Sequence, residues 1–165
     1  MLVVMTQHLE ALHLESTRAV PVAYENALGL VLPAPLPRIF GRRYAAITPI
    51  AEVRDQAGAW DTADETRTIV LADGATMRET LTAIEAPASF SYEITPLSGP
   101  LKLLVGHVAG RWTFSPAGTG TRITWSWDVT PTSSVASFAM PVFGWMWKGY
   151  ARQSLESLEE LLLDS

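Results

Sequence analysis

The stretch Arg111-Trp-Thr-Phe-Ser-Pro-Ala-Gly-Thr-Gly-Thr-Arg-Ile-Thr-Trp-Ser-Trp-Asp-Val129 decides the fold. Side chains on an extended chain alternate between two faces. In the second half, Ile123, Trp125, Trp127 and Val129 share one side, and Arg122, Thr124, Ser126 and Asp128 share the other. In the first half, Trp112 and Phe114 oppose Arg111 and Thr113. The cluster Pro116-Ala-Gly-Thr-Gly120 between them is turn chemistry. Two strands, Val108–Phe114 and Thr121–Val129, are therefore expected to pair antiparallel, with one wet face and one aromatic face.

The same pattern extends toward the N-terminus. A strand Phe90–Thr95 sets Phe90, Tyr92 and Ile94 against Ser91, Glu93 and Thr95, and Pro96 and Gly99-Pro100 end it. Thr66–Leu71 and Met77–Ile84 form a predicted hairpin about Asp73-Gly74. Ala46–Arg54 predicts a further strand, and the polar run Asp55–Asp64 a loop. The segment Leu9–Val22 predicts the first strand, closed by Pro21. A helical stretch from Val22 to Val31 follows, which Pro33, Pro35 and Pro37 stop because proline lacks a backbone donor.

Beyond Pro131 the pattern changes period. Thr132, Ser133 and Ser134 offer capping hydroxyls. From Trp147, the residues Ala151, Ser154, Leu155, Leu158, Leu161 and Leu162 recur at helical spacing, with Lys148, Arg152, Glu156 and Glu159 on the polar side. Pro141 should start or kink this helix. One antiparallel sheet with helices on one face is an α+β architecture, and residues 1–165 are expected to form one domain.

Composition narrows the function. Of 165 residues, 48% are hydrophobic and 18% charged, which excludes a disordered chain. The net charge is −5 and only Lys102 and Lys148 are lysines, so phosphate-backbone binding to nucleic acid is not expected. The absence of cysteine excludes disulfides, a thiolate nucleophile and cysteine-ligated zinc. The apolar run Met1–Met5 is too short for a signal peptide or a span. Phe138–Trp147 is short and contains Pro141 and Gly144. Asn26-Ala-Leu28 is not a glycosylation sequon. No stable membrane insertion and a cytoplasmic location are the expectation.

The aromatic sheet face must meet the helix bearing Phe143, Trp147 and Tyr150. The rings either fill the core or line a hollow, and six tryptophans are compatible with both. Glu79 is the exception on the inward face. A two-residue turn at Asp73-Gly74 pairs Ala72 with Ala75, Val70 with Met77 and Thr68 with Glu79. Met77, Glu79, Leu81 and Ala83 then share the inward side, and Arg67 falls on the opposite one. A one-residue slip would turn Glu79 to solvent. A carboxylate among apolar neighbours is costly unless paired or protonated, so it is a functional candidate.

These residues resemble the SRPBCC proteins, the START-like and Bet v 1-like group that includes polyketide cyclase/dehydrase-type proteins. The resemblance rests on the hairpin from Arg67 to Thr80, on Ala86-Pro-Ala-Ser-Phe-Ser-Tyr92, on Gly110 to Trp125, and on Gly149-Tyr-Ala-Arg-Gln-Ser-Leu-Glu-Ser-Leu158. It spans about residues 12 to 162, and its motifs are structural rather than catalytic. It implies the helix-grip fold, a curved antiparallel sheet wrapped around a long C-terminal helix with a cavity between. It implies binding of lipids, sterols, polyketides or hormones, and in a few members cyclisation or dehydration. The family's hairpin glutamate matches Glu79. The proline-rich segment Leu32–Arg38 departs from the family's second small helix.

The expected ligand-binding residues are Met77, Glu79, Tyr92, Trp112, Phe114, Trp125, Trp127, Phe143, Trp147 and Tyr150, and the expected partner is a small hydrophobic molecule. An enzyme using Glu79 as acid or base, with Tyr92 or Tyr150 at a developing enolate, is the alternative. An interaction module with a filled core is the third reading, and a homodimer is compatible with all three. No cofactor or metal is expected. His8, His13 and His107 are scattered without ligand spacing, and Gly-x-Ser-x-Gly, phosphate-loop and dinucleotide motifs are absent.

Overall fold

A computed structural model describes residues 9–164. The Met1–Met5 run and His8 lie outside the described residues. The elements are β1 Leu12–Val20, α1 Tyr24–Val31, α2 Leu36–Ile39, β2 Ile50–Arg54, β3 Thr66–Leu71, β4 Thr76–Glu85, β5 Ser89–Pro96, α3 Pro100–Leu104, β6 Val105–Ala117, β7 Gly120–Pro131, α4 Ser134–Ser137 and α5 Met140–Leu163. The strands form one seven-stranded sheet in the order β1-β7-β6-β5-β4-β3-β2, antiparallel throughout. Neighbours in sequence are neighbours in the sheet from β2 to β7: short turns join β3–β4, β4–β5 and β6–β7, the loop 55–65 joins β2 to β3, and a segment containing α3 joins β5 to β6. The first strand instead crosses to pair with the last. The curved sheet and the long C-terminal helix form the helix-grip fold.

The face alternation holds along the sheet. Ile123, Trp125, Trp127 and Val129 are buried, while Arg122 and Asp128 are exposed. Proline in the first turn of α5 costs no hydrogen bond, so Pro141 starts the helix rather than kinking it. The Ser133 hydroxyl caps α4 by accepting from the Ala136 N–H at 3.0 Å. α5 lies against β1 and α2, and Arg18 of β1 pairs with Glu159 of α5.

Three local features correct the sequence expectation. The β3–β4 turn contains three residues, Ala72, Asp73 and Gly74, not two. Leu71 N–H donates to the Ala75 carbonyl at 2.8 Å and Gly74 sits at φ +88°. That left-handed glycine is what a three-residue hairpin loop requires. The Asp73 carboxylate also accepts from the Ala75 N–H at 2.9 Å. The register therefore moves by one residue, and Arg67 stands directly opposite Glu79, on the same inward face. Second, a bulge between Leu81 and Ala83 flips the end of β4. Ala83 pairs with Ser91 on the outer face, and Ile84 takes the inward place beside Phe90. Third, β6 and β7 are longer than the strands Val108–Phe114 and Thr121–Val129 expected from the sequence, and the short helix α3 begins on Pro100, where only the end of the preceding strand was expected.

Candidate functional site: a buried aromatic cavity

The inner sheet face and helices α2, α3 and α5 line a partly open cavity of about 240 Å³. Met77, Glu79, Tyr92, Trp112, Trp125 and Trp127 line it from the sheet, and Phe143, Trp147 and Tyr150 from α5. Phe114 does not: it is buried behind the wall, stacked on Phe90 with ring centroids 6.1 Å apart. The wall also takes residues that alternation alone did not select, among them Phe40, Trp60, Arg67 and Met146. Trp60 carried a signal, a large ring in an otherwise polar loop. Phe40 followed a proline-broken segment and carried none.

The indoles form a continuous cluster. Trp112 stacks on Trp125 at 5.6 Å, and Trp147 lies 4.7 Å from Trp125 and 5.9 Å from Trp127, centroid to centroid. Tyr92 anchors the cluster. Its hydroxyl oxygen accepts from Trp125 Nε1 at 2.6 Å and from Trp127 Nε1 at 2.8 Å. Both lone pairs are thereby used, and the hydroxyl proton is left to donate. Burial, helped by the charge of Glu79, raises the Tyr92 pKa far above the ordinary tyrosine value, so that proton stays on. Burial does the same to Tyr150. Trp147 is 1% exposed, and its Nε1 has no hydrogen-bond acceptor among the described residues. The cavity wall thus holds two buried donors, Tyr92 O–H and Trp147 N–H, that meet no acceptor among the described residues.

Gly110 makes room for this arrangement. It stands opposite Tyr92 in the β5–β6 register, and a Cβ there would collide with the tyrosine ring. Gly110→Ala is expected to lower stability by about 1–3 kcal/mol through overpacking. Urea denaturation checks this, with near-ultraviolet circular dichroism reporting the displaced indoles.

The polar end is a buried ion pair. Arg67 Nε donates to Glu79 Oε1 at 2.5 Å, with both side chains less than a tenth exposed. The guanidinium also lies 3.8 Å from the Trp60 ring centroid and donates to Gln56 Oε1 at 3.2 Å. Trp60 is held at φ +57°, its N–H donating to the Glu65 carboxylate at 3.0 Å. Burial pushes the Glu79 carboxyl above its usual range, and the charge and hydrogen bond of Arg67 oppose that shift only in part. The histidines lie elsewhere. His13 is on the outer sheet face beside Asp128 and Glu15, whose hydrogen bonds raise its pKa. His107 is half-exposed, 3.7 Å from Glu93. Among the described residues no group of three metal-binding side chains converges, and no helix is long and apolar enough to cross a membrane.

A curved antiparallel sheet gripping a long C-terminal helix, with an aromatic hollow between, is the helix-grip class of fold. The chain belongs to the family described as polyketide cyclase/dehydrase and lipid transport, whose model matches residues 13–162. Solved structures share the fold at low identity. Ara h 8.0201 is 12% identical with a TM-score of 0.65, covering 94% of this chain and 99% of its own. A major latex-like protein 151 from Panax ginseng is 12% identical with a TM-score of 0.66, covering 92% and 97%. A protein from Arthrobacter aurescens is 18% identical with a TM-score of 0.65, covering 99% and 92%. No curated protein matches the sequence.

Proposed function

We propose that the protein binds a small, mainly apolar molecule in this cavity, and that the guest carries a hydrogen-bond acceptor such as a carbonyl. The observation that carries this reading is the pair of acceptor-less donors, Tyr92 O–H and Trp147 N–H, in an aromatic wall. A buried donor without a partner costs about 1–3 kcal/mol, and an acceptor on the guest recovers it. An apolar cavity of about 150 Å³ already accepts benzene, so a guest of two fused rings fits the larger space here.

A matched pair of guests tests the reading. 1-Tetralone and tetralin have similar shapes and differ by one carbonyl. Both should quench tryptophan fluorescence. Tetralone should bind about tenfold tighter, and at about 100 times its Kd it should add about 2.7 kcal/mol of stability, seen as a higher Tm. No shift and no quenching across a broad panel of bicyclic compounds would remove the proposal.

A second reading, favoured by the raised pKa of Glu79, is an enzyme in which Glu79 exchanges a proton with the guest and Tyr92 donates to the developing oxyanion. Glu79→Gln should then abolish turnover of a substrate while binding persists, and full turnover in that variant would exclude the role.

A further inference from the structure

Among the described residues, the five most exposed large hydrophobic side chains lie on α3, α4, the turn after α4 and the first half of α5. Leu103, Val135, Phe138, Val142 and Trp145 are between 62 and 86% exposed. The α3 end of the patch is tied to the rest: Thr132, which leads into α4, donates its hydroxyl to the Leu103 carbonyl at 2.7 Å and its N–H to the Leu104 carbonyl at 3.1 Å. Phe138, Val142 and Trp145 follow one another at helical spacing of four and three, so they form one outward stripe. Scattered exposed apolar residues are ordinary, but a contiguous run of large ones on one end of a domain marks an interaction surface.

Charge identifies the partner. The chain carries a net charge of −5, yet no Asp or Glu occurs between Glu93 and Asp128, or between Asp128 and Glu156. Both lysines of the protein border the patch: Lys102 beside Leu103, and Lys148 one turn beyond Trp145. Arg152 continues the line, and the acidic residues of α5 begin only at Glu156. Exposed phenylalanine and tryptophan flanked by cations, on segments that carry no acidic residue of their own, is the chemistry that settles into the headgroup layer of an anionic bilayer. We infer that the protein docks peripherally on anionic membranes through the outer faces of α3, α4 and the N-terminal half of α5. The inner sides of α3 and α5 supply Leu104 and Met146 to the cavity wall, so the docked face is also the thin side of the cavity. Docking needs no guest, and it stands or falls independently of the ligand proposal.

Vesicle co-sedimentation of the full chain provides the test. Vesicles of phosphatidylcholine with about 30% phosphatidylglycerol should bind the protein at least tenfold tighter than phosphatidylcholine alone, and high salt should remove most of the difference. Trp145 is the one exposed tryptophan of the six, so binding should shift the emission to the blue. Phe138→Ser combined with Val142→Ser should lower binding at least tenfold without changing the melting curve, because both positions already face water. Lys102→Glu with Lys148→Glu should abolish the preference for anionic vesicles. No binding to anionic vesicles, or binding indifferent to both variants, would overturn the inference. So would sedimentation showing a wild-type dimer that Phe138→Ser disperses, since the patch would then be covered by a second copy.

Discussion

Glu79→Leu is expected to destabilise the protein by about 3–5 kcal/mol, and Arg67→Met in the same chain to restore most of it. Removing one partner of a buried ion pair leaves a desolvated charge uncompensated, whereas replacing both by apolar groups of similar volume is often neutral. Arg67 is 6% exposed, and apart from Glu79 it keeps only the Trp60 face and the Gln56 amide. For a domain of this size the loss lowers Tm by on the order of 10 °C. Chemical denaturation of the two single variants and the double variant measures the coupling. A double-variant loss equal to the sum of the two single losses would show that the pair is not an energetic unit. The pH dependence has a definite sign. Burial raises the Glu79 carboxyl above its ordinary 4.5, so between that value and the raised one the folded state binds more protons than the unfolded chain. The stability linked to that proton is complete below the ordinary value and is lost as pH rises through the raised one. The gap between wild type and Glu79→Leu should therefore widen as pH falls through the raised value toward the ordinary carboxylate range.

Tyr92→Phe should cost about 2–4 kcal/mol, more than loss of one hydrogen bond between neutral groups. A single oxygen serves Trp125 and Trp127 together, so its removal strands two buried indole donors beside the already unpartnered Trp147. Trp125→Phe, which leaves Trp127 donating, separates the hydroxyl's role from ring packing. Tyr92→Phe should also erase most of the preference for tetralone over tetralin while tetralin still binds. A cost below about 1 kcal/mol would mean that the two indoles find other acceptors.

Much of the wall was legible from period-two alternation. Trp112, Trp125 and Trp127 could face inward only together, and Tyr92 and Glu79 were placed on that side by their strand mates. What alternation cannot supply is the count of residues in a turn. Asp73-Gly74 fits both a two-residue and a three-residue loop, and the single residue of difference moved Arg67 from the outer face to a hydrogen bond with Glu79. The bulge that exchanges Ala83 for Ile84 was hidden for the same reason, since both residues are apolar. Phe114 was assigned to the binding wall from its face alone; its depth depends on how Phe90 stacks across the strands. Trp60 and Phe40 reach the cavity from loop and helix end, where no period applies.

The pairing of β1 with β7 sets the order in which the molecule can be made. On the ribosome, the hairpins from β2 to β7 can close as they emerge, each against its predecessor. The strand synthesised first waits for the one synthesised last, and for α5, which packs on it. That closure joins residues more than a hundred positions apart, the kind of contact that slows folding. Until it forms, the aromatic face of the nascent sheet stands open to water, so productive folding of this chain depends on keeping that face from other chains until β7 and α5 have emerged.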